Sequence, residues 1–418
     1  MNARRVVVTG LGAVTPIGIG TDEFWTGLIE GRNGVDRVTH FDPSGYRSTL
    51  AAEVKGFDAG RWMDTKEARR MDPFTQFAVA ASVMAGEDAG LGSTGFDANR
   101  AGVIVGSGIG GSKTIEEGYV LLKEKGPGSL NPFFVSMLLV NMAAAMVSIR
   151  LGLKGPMAAL SVACSTGTNA VGDAYHIIER GDADIMLAGG SEACITPLAY
   201  GGFCATRSMS QSTTPQTASR PFDRDRDGFV MGEGAGIAVL EELSHAQARG
   251  ARIYAEVAGY ANTADAYHFT APEPSGDGMK RVMSAALSDA GMAPNDIDYV
   301  NAHGTSTVLN DKCESAAIID VFGEHARDLK VSSNKSMIGH LMGAAGAVEF
   351  VSSVLSVYRD VIPPTINYSQ PDPECPLDYV ASGPESGHVR AAMSNSFGFG
   401  GGNSCVIVTE YEKANADT

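Results

Sequence analysis

Asp184-Ile-Met-Leu-Ala-Gly-Gly-Ser191 and Asp298-Tyr-Val-Asn-Ala-His-Gly-Thr305 follow one plan: an acidic start, a short apolar run, then a turn of small residues. Runs that are apolar on both faces suit strands covered by helices on each side. The echo hints at a duplicated α/β core, with each turn at a strand's C-terminal end, where such folds place their chemistry. Outward from this pair, similar runs recur at Val6-Val-Val, Val103-Ile-Val, Ile237-Ala-Val-Leu, Tyr254-Ala-Glu-Val and Val406-Ile-Val. Helical periodicity falls between them, over 74–89, 168–179, 278–290 and 344–358. The alternation predicts a layered α/β protein. A basic segment before Ala251 suggests a boundary, giving halves 1–250 and 251–418 that share one body without a flexible linker.

The chain has 418 residues, 44% hydrophobic and 19% charged, which is too apolar for disorder and ample for a large core. Its formal charge of -16 argues against a general nucleic-acid binder, which needs a basic face. The six cysteines are scattered with no C-x-x-C pair, so neither a disulfide framework nor a zinc site is expected, and most should be buried thiols. The start breaks after three valines at Thr9-Gly10 and reads as a first strand, not a secretory signal. The apolar stretch 133–149 is short for a membrane span and contains Asn141; it reads as a helix in the core or at a subunit interface. A cytoplasmic protein with no membrane contact is expected.

Two motifs point elsewhere and are set aside. Gly106-Ser-Gly-Ile-Gly-Gly111 fits G-x-G-x-x-G, but a dinucleotide site also wants an acidic residue ~20 positions on, closing a second strand. That region is charged and glycine-rich, so a tightly packed turn is the better reading. Asp223-Arg-Asp-Arg-Asp-Gly228 opens like a calcium loop, yet its twelfth position is Gly234, and Arg224 and Arg226 neutralise the acids. It reads as an internally paired turn, and no metal is expected.

Three segments carry the chemistry. In Val162-Ala-Cys164-Ser-Thr-Gly, a cysteine ends an apolar run and opens a helix, where unpaired N–H groups favour a thiolate; a buried small residue is the competing reading. In Asn301-Ala-His303-Gly-Thr-Ser-Thr307, a histidine follows a strand and precedes hydroxyls, within substrate reach or satisfied by its own turn. Ser332-Ser-Asn-Lys335-Ser-Met-Ile-Gly-His340 sets a lysine and a histidine ahead of a small-residue helix in which Glu349 can pair internally. One nucleophile, two histidines and a lysine, all at turns, make a catalytic constellation.

With these segments, Val7-Val-Thr-Gly-Leu-Gly, Ala218-Ser-Arg-Pro-Phe-Asp and Asn395-Ser-Phe-Gly-Phe-Gly-Gly401, the chain resembles the elongating β-ketoacyl-acyl carrier protein synthases over nearly its whole length. The resemblance implies the thiolase-like fold, two α/β halves in an α-β-α-β-α arrangement. It implies a decarboxylative condensation in fatty acid elongation, with no cofactor. Cys164 would take the acyl chain; His303 and His340 would stabilise the enolate; Lys335 would hold charge and geometry. The N–H groups of Cys164 and Phe399 would form the oxyanion hole. Thr305 and Thr307 would hold the phosphopantetheine arm. Ile109 would gate the acyl pocket and Phe399 would swing on acylation. Phe203, and Thr270 of Asp265-Ala-Tyr-His-Phe-Thr, would join the substrate site, and Phe134 would reach a partner's acyl pocket in a homodimer. Lys66, Arg69, Arg70 and Arg207 would dock the acidic acyl carrier protein, as against a merely solvated face.

The chain departs from the family at Val308, usually proline, and at Gly402, often threonine. The resemblance leaves an aromatic polyketide ketosynthase as the alternative. A non-catalytic chain-length subunit lacks the nucleophilic cysteine. A degradative thiolase uses a second cysteine near the C-terminus, where Cys405 reads as core.

Overall fold

The computed structural model describes residues 4–92 and 96–411; the start of the chain at 1–3 and its end at 412–418 lie outside them. Ten strands build the main sheet: β1 Val6–Thr15, β2 Ala101–Gly106, β3 Met157–Ala158, β4 Ile185–Glu192, β5 Gly234–Glu242, β6 Ala255–Ala264, β7 Tyr299–Asn301, β8 Lys330–Ser332, β9 Ala391–Gly398 and β10 Gly402–Thr409. They run in the order β8-β7-β9-β10-β6-β1-β5-β4-β2-β3, and Gly18–Ile19 folds back on β1.

The duplication is written in this order. Within the first half the strands lie third, second, fourth, fifth, first, and the second half repeats the sequence. The directions repeat too. In each half the first two pairings are parallel and the next two antiparallel. The halves join where Val6, Val7 and Val8 pair with Val257, Glu256 and Ala255. This corrects the equivalence suggested by the echo. Asp184 leads into β4, whose counterpart is β9, whereas the strand before His303 is the counterpart of β2.

Six helices complete the layers: α1 Pro73–Asp88, α2 Met142–Leu151, α3 Thr166–Glu179, α4 Asp277–Ala290, α5 Val308–Phe322 and α6 Ala345–Arg359. Asp72 caps α1 and Pro73 supplies its fixed φ at the first position. α1 and α2 cover strands of the first half, and α4 covers β6 and β10 of the second. α3 and α6 touch strands of both halves and each other, so they form the middle layer. Their burial is nearly complete, with Val348, Phe350, Val351 and Val354 at 0% exposure. Backbone approach there excludes side chains: a Cβ on Gly346 would lie 2.1 Å from Thr168 Oγ1, and one on Gly167 2.5 Å from Ala347 N.

The 133–149 stretch is not one helix. It breaks into Phe134–Leu138 and α2, separated at Leu139-Val140-Asn141. Phe133, Val135, Leu139 and Ile149 are exposed, so its apolar surface is not in the core of this chain. No helix among the described residues is long and apolar enough to cross a membrane.

Candidate active site

The site is assembled from turns. Cys164 lies in a short 3-10 turn, Ala163–Ser165, that runs into α3. Ala163 holds φ at 47°, a left-handed conformation that a non-glycine residue adopts at a cost and that recurs at functional turns. His303 follows β7, Lys335 and His340 follow β8, and Phe399 follows β9. The β9–β10 turn continues through Gly400 and Gly401, with φ of 85° and 75°, a conformation suited to glycine.

Cys164, His303, His340, Thr305, Thr307 and Phe399 line one cavity of about 360 Å³, and Phe203, Thr270 and Arg207 complete its wall. The imidazoles meet edge to face, with centroids 5.3 Å apart. Phe397 packs on His303 and Phe229 on His340. His340 is held through its backbone: its N–H donates to Val230 O at 2.7 Å and its carbonyl accepts from Gly232 N at 2.8 Å. His303 N–H and Gly304 N–H donate to the two oxygens of Glu314, each at 2.8 Å. Thr305 and Thr307 hydroxyls lie 2.9 Å apart.

Burial sets the protonation states. It depresses both histidines well below the usual imidazole range, and the Lys335 charge pushes them further the same way. Both rings are therefore neutral at pH 7, and each can donate from one nitrogen. Each Nδ1 is buried without a hydrogen-bond partner among the described residues. Cys164 departs from its sequence expectation. Burial pushes its thiol up to about 11, and the Phe399 N–H and the Lys335 charge only partly oppose this. The free site rests as a thiol, not a thiolate.

Lys335 does not line the cavity. It is fully buried behind it, in an ion pair with Glu349 of α6. Phe134 lines no part of this cavity, and its ring lies over Gly118 of the same chain. Lys66, Arg69 and Arg70 are exposed, around the one-turn helix Thr65–Ala68, and Arg70 stacks on Phe133 at 4.5 Å.

Behind Phe399 lies a second cavity of about 420 Å³, strongly apolar, lined by Ile109, Ile115, Leu198, Ala199 and Phe203. Phe203, Thr206, Thr270 and Phe399 border both cavities and stand between them.

The motifs set aside above have structural explanations. The Gly106–Gly111 loop gathers its N–H groups on the buried carboxylate of Glu192. The Asp223 turn is paired within itself, Arg224 with Asp225 and the Asp225 N–H and Arg226 guanidinium donating to Asp223, and it also reaches outward: Arg226 to Asp311 and Asp372, and Asp223 to the Ser369 and Gln370 N–H groups. Among the described residues no cluster of three His, Cys, Asp or Glu side chains is placed to hold a metal. Glu192, Glu314 and Asp311 are site-building residues that sequence reading missed. Each is a buried carboxylate holding backbone N–H groups.

Comparison with known proteins fits this geometry. Residues 3–246 match the model of the β-ketoacyl synthase N-terminal domain, and residues 254–369 that of the β-ketoacyl synthase C-terminal domain. The chain belongs to the β-ketoacyl synthase family. It is 50% identical over 413 residues to a 3-oxoacyl-[acyl-carrier-protein] synthase 2 of Synechocystis sp., covering 99% of each chain. It is 51% identical over 409 residues to a protein of the same name from Staphylococcus aureus, covering 98% of this chain and 99% of that one. Among solved structures, a ketosynthase in complex with a type II polyketide acyl-carrier protein matches with a TM-score of 0.91 at 37% identity, covering 98% of this chain and 100% of that one. A β-ketoacyl synthase from Burkholderia phymatum matches with a TM-score of 0.91 at 38% identity and the same coverage.

In this synthase the two departures sit at defined places. Val308 is the first residue of α5, a position where proline's fixed φ fits, and its side chain is exposed at the cavity rim. Gly402 opens β10, where a Cβ would come 3.0 Å from Val162 Cγ1, two residues before Cys164.

Proposed function

We propose that this synthase elongates fatty acyl chains by condensing an acyl group held on Cys164 with malonyl-acyl carrier protein. The observation that carries this is a buried thiol with two neutral imidazoles in its own cavity and an apolar cavity beyond Phe399. In the first step Cys164 Sγ attacks the acyl thioester carbonyl. The carrier's thiol leaves with the cysteine proton, and the N–H groups of Cys164 and Phe399 stabilise the oxyanion. In the second step the malonyl C–CO2 bond breaks. Its electron pair moves into an enolate whose oxygen accepts hydrogen bonds from His303 and His340. The enolate carbon attacks the acyl carbonyl, a C–C bond forms, the C–S bond to Cys164 breaks, and the thiol regains a proton. Decarboxylation creates the carbanion, so no strong base is needed and neutral imidazoles suffice. Lys335 acts from behind, its charge adding to the burial that keeps both rings neutral. Thr305 and Thr307 offer hydroxyls to the pantetheine amides, and Ile109, Phe203 and Thr270 shape the acyl path.

The acidic carrier docks on Lys66, Arg69, Arg70 and Arg207. Reversing the first three to Glu raises KM for carrier-bound substrates; an unchanged KM at low salt contradicts this docking site. A homodimer is supported by the free edge of β3 and by exposed Tyr119, Val120, Val135 and Met157. Sedimentation at several concentrations tests it, and in a dimer Phe134 would have to leave its packing over Gly118 to reach the partner's acyl cavity. The halves divide near 250/251, in line with the family segments, and the protein works in the cytoplasm.

Identity of 50–51%, over nearly the whole of each chain, to two proteins named 3-oxoacyl-[acyl-carrier-protein] synthase 2 supports the elongation reading. Among the described residues Cys164 is the one cysteine lining the cavity, and Cys405 is buried in β10, which speaks against a two-cysteine thiolase. The test is reconstitution with octanoyl and longer acyl-carrier primers plus malonyl-carrier protein. A ketoacyl-carrier product two carbons longer, with carbon dioxide released, is expected; multiply extended, unreduced chains indicate the polyketide reaction instead.

A further inference from the structure

Glu192 ends β4 at 0% exposure, and no Lys, Arg or His among the described residues pairs with it. Burial pushes its pKa above the ordinary carboxylate value, and neutral donors from two separate loops oppose this. Oε1 accepts from Ser107 Oγ at 2.8 Å and Ile109 N–H at 3.3 Å. Oε2 accepts from Gly108 N–H at 2.7 Å and Gly343 N–H at 3.0 Å. Ser107 Oγ in turn accepts from Gly110 N–H at 2.9 Å. Gathered backbone N–H groups at a glycine turn make an anion cradle, and here the protein's own carboxylate fills it.

The two loops serve different cavities. Ile109 lines the apolar one, while Gly343 follows Met342, which lines the catalytic one two residues after His340. There is no slack between them: a Cβ on Gly343 would lie 2.3 Å from Gly108 N, and one on Gly108 2.9 Å from Glu192 Oε2. We propose that Glu192 is a positioning residue that locks the Ile109 wall of the acyl cavity to the His340 loop and thereby sets acyl chain-length preference. The role rests on the elongation reading above.

A carboxamide at 192 keeps the shape but turns an N–H donor toward N–H groups, so Ile109 N–H loses its acceptor in one amide orientation, and Gly108 and Gly343 N–H lose theirs in the other. On the proposed path from Cys164 to the apolar cavity, a longer acyl chain would press further along the Ile109 wall than a shorter one. Glu192→Gln therefore changes the two unequally. The experiment measures kcat/KM for acylation of Cys164 by octanoyl- and hexadecanoyl-carrier protein in wild type, Glu192→Gln and Ser107→Ala. Ser107→Ala keeps the charge and removes one donor, so it reports even where Glu192→Gln folds poorly. The ratio between the two primers is expected to move about tenfold in Glu192→Gln, the scale of a small misplacement in an apolar site, and in the same direction but less in Ser107→Ala. A ratio within about twofold of wild type in both variants, or a uniform fall for both primers, overturns the proposal. Acylation of the wild type, run alongside, tests the elongation reading separately.

Discussion

Replacing Lys335 by methionine tests how the buried ion pair is balanced. Lys335 and Glu349 have side-chain exposures of 1% and 0%; Lys335 bonds Glu349 Oε1, and Oε2 has no hydrogen-bond partner among the described residues. Burial raises Glu349 above its ordinary 4.5, and Lys335 pulls it back. Without Lys335 the acid avoids a lone buried charge by taking a proton. The unfolded chain still ionises above 4.5, so it binds fewer protons than the folded one and stability falls as pH rises. Between 4.5 and 7 the cost grows by about 1.36 kcal/mol per pH unit, reaching at most about 3.4 kcal/mol at pH 7 and under about 1 kcal/mol at pH 5. At about 2.1 cal/mol/K per residue, 418 residues give an unfolding entropy of about 0.9 kcal/mol/K. Tm should therefore fall by up to about 4 °C at pH 7 and by about 1 °C at pH 5, at fixed protein concentration. Adding Glu349→Gln removes the titrating group and should abolish the pH dependence. A deficit equal at both pH values, or unchanged in the double variant, refutes the reasoning. The same variant reads on activity. Without the Lys335 charge both histidines move back up toward the usual imidazole range, so malonyl decarboxylation loses rate at a higher pH than in wild type.

In the wild type, both imidazoles are neutral well below pH 6.5, so malonyl-carrier decarboxylation should be flat from about pH 6 to 8; a fall with a midpoint near 6.5 contradicts this. Alkylation of Cys164 by iodoacetamide should keep rising about tenfold per pH unit past 8.5, because burial holds the thiol near 11. A plateau below 8.5 means that the helix N-terminus outweighs burial. Arg226→Met leaves Asp311 and Asp372 unpaired and removes donors from the Thr307 and Val308 carbonyls. It should cost about 3–5 kcal/mol in unfolding measurements and raise KM for malonyl-pantetheine thioesters; a neutral effect on both contradicts the role given to this pair.

The sequence reveals most of the frame because strand and helix periods are local. Every strand inferred from an apolar run, and all four helical stretches, correspond to elements of the structure. β9 escaped because Ala391-Ala-Met-Ser-Asn-Ser-Phe-Gly is small and polar: it packs on the middle helices through contacts such as Ser396 with Thr168, which no local pattern announces. β8 is three residues long, too short for a period. The 133–149 stretch was misread because apolar content does not show where backbone direction changes at Leu139-Val140-Asn141. The reacting side chains were legible as residue types at turns. The carboxylates beneath them were not, since Glu192 meets Gly108 across 84 positions and Gly343 across 151. An acid ending an apolar strand, as at Ser191-Glu192, is the one local signal that marks such a residue.

In the proposed mechanism Cys164 carries the acyl chain and yields it to a malonyl-derived carbanion. The decisive measurement is intact mass after incubation with long-chain acyl-carrier protein, followed by peptide mapping. One acyl adduct is expected, on Cys164, that disappears when malonyl-carrier protein is added. Folded protein that acquires no adduct with any primer, or an adduct on another of the six cysteines, contradicts it.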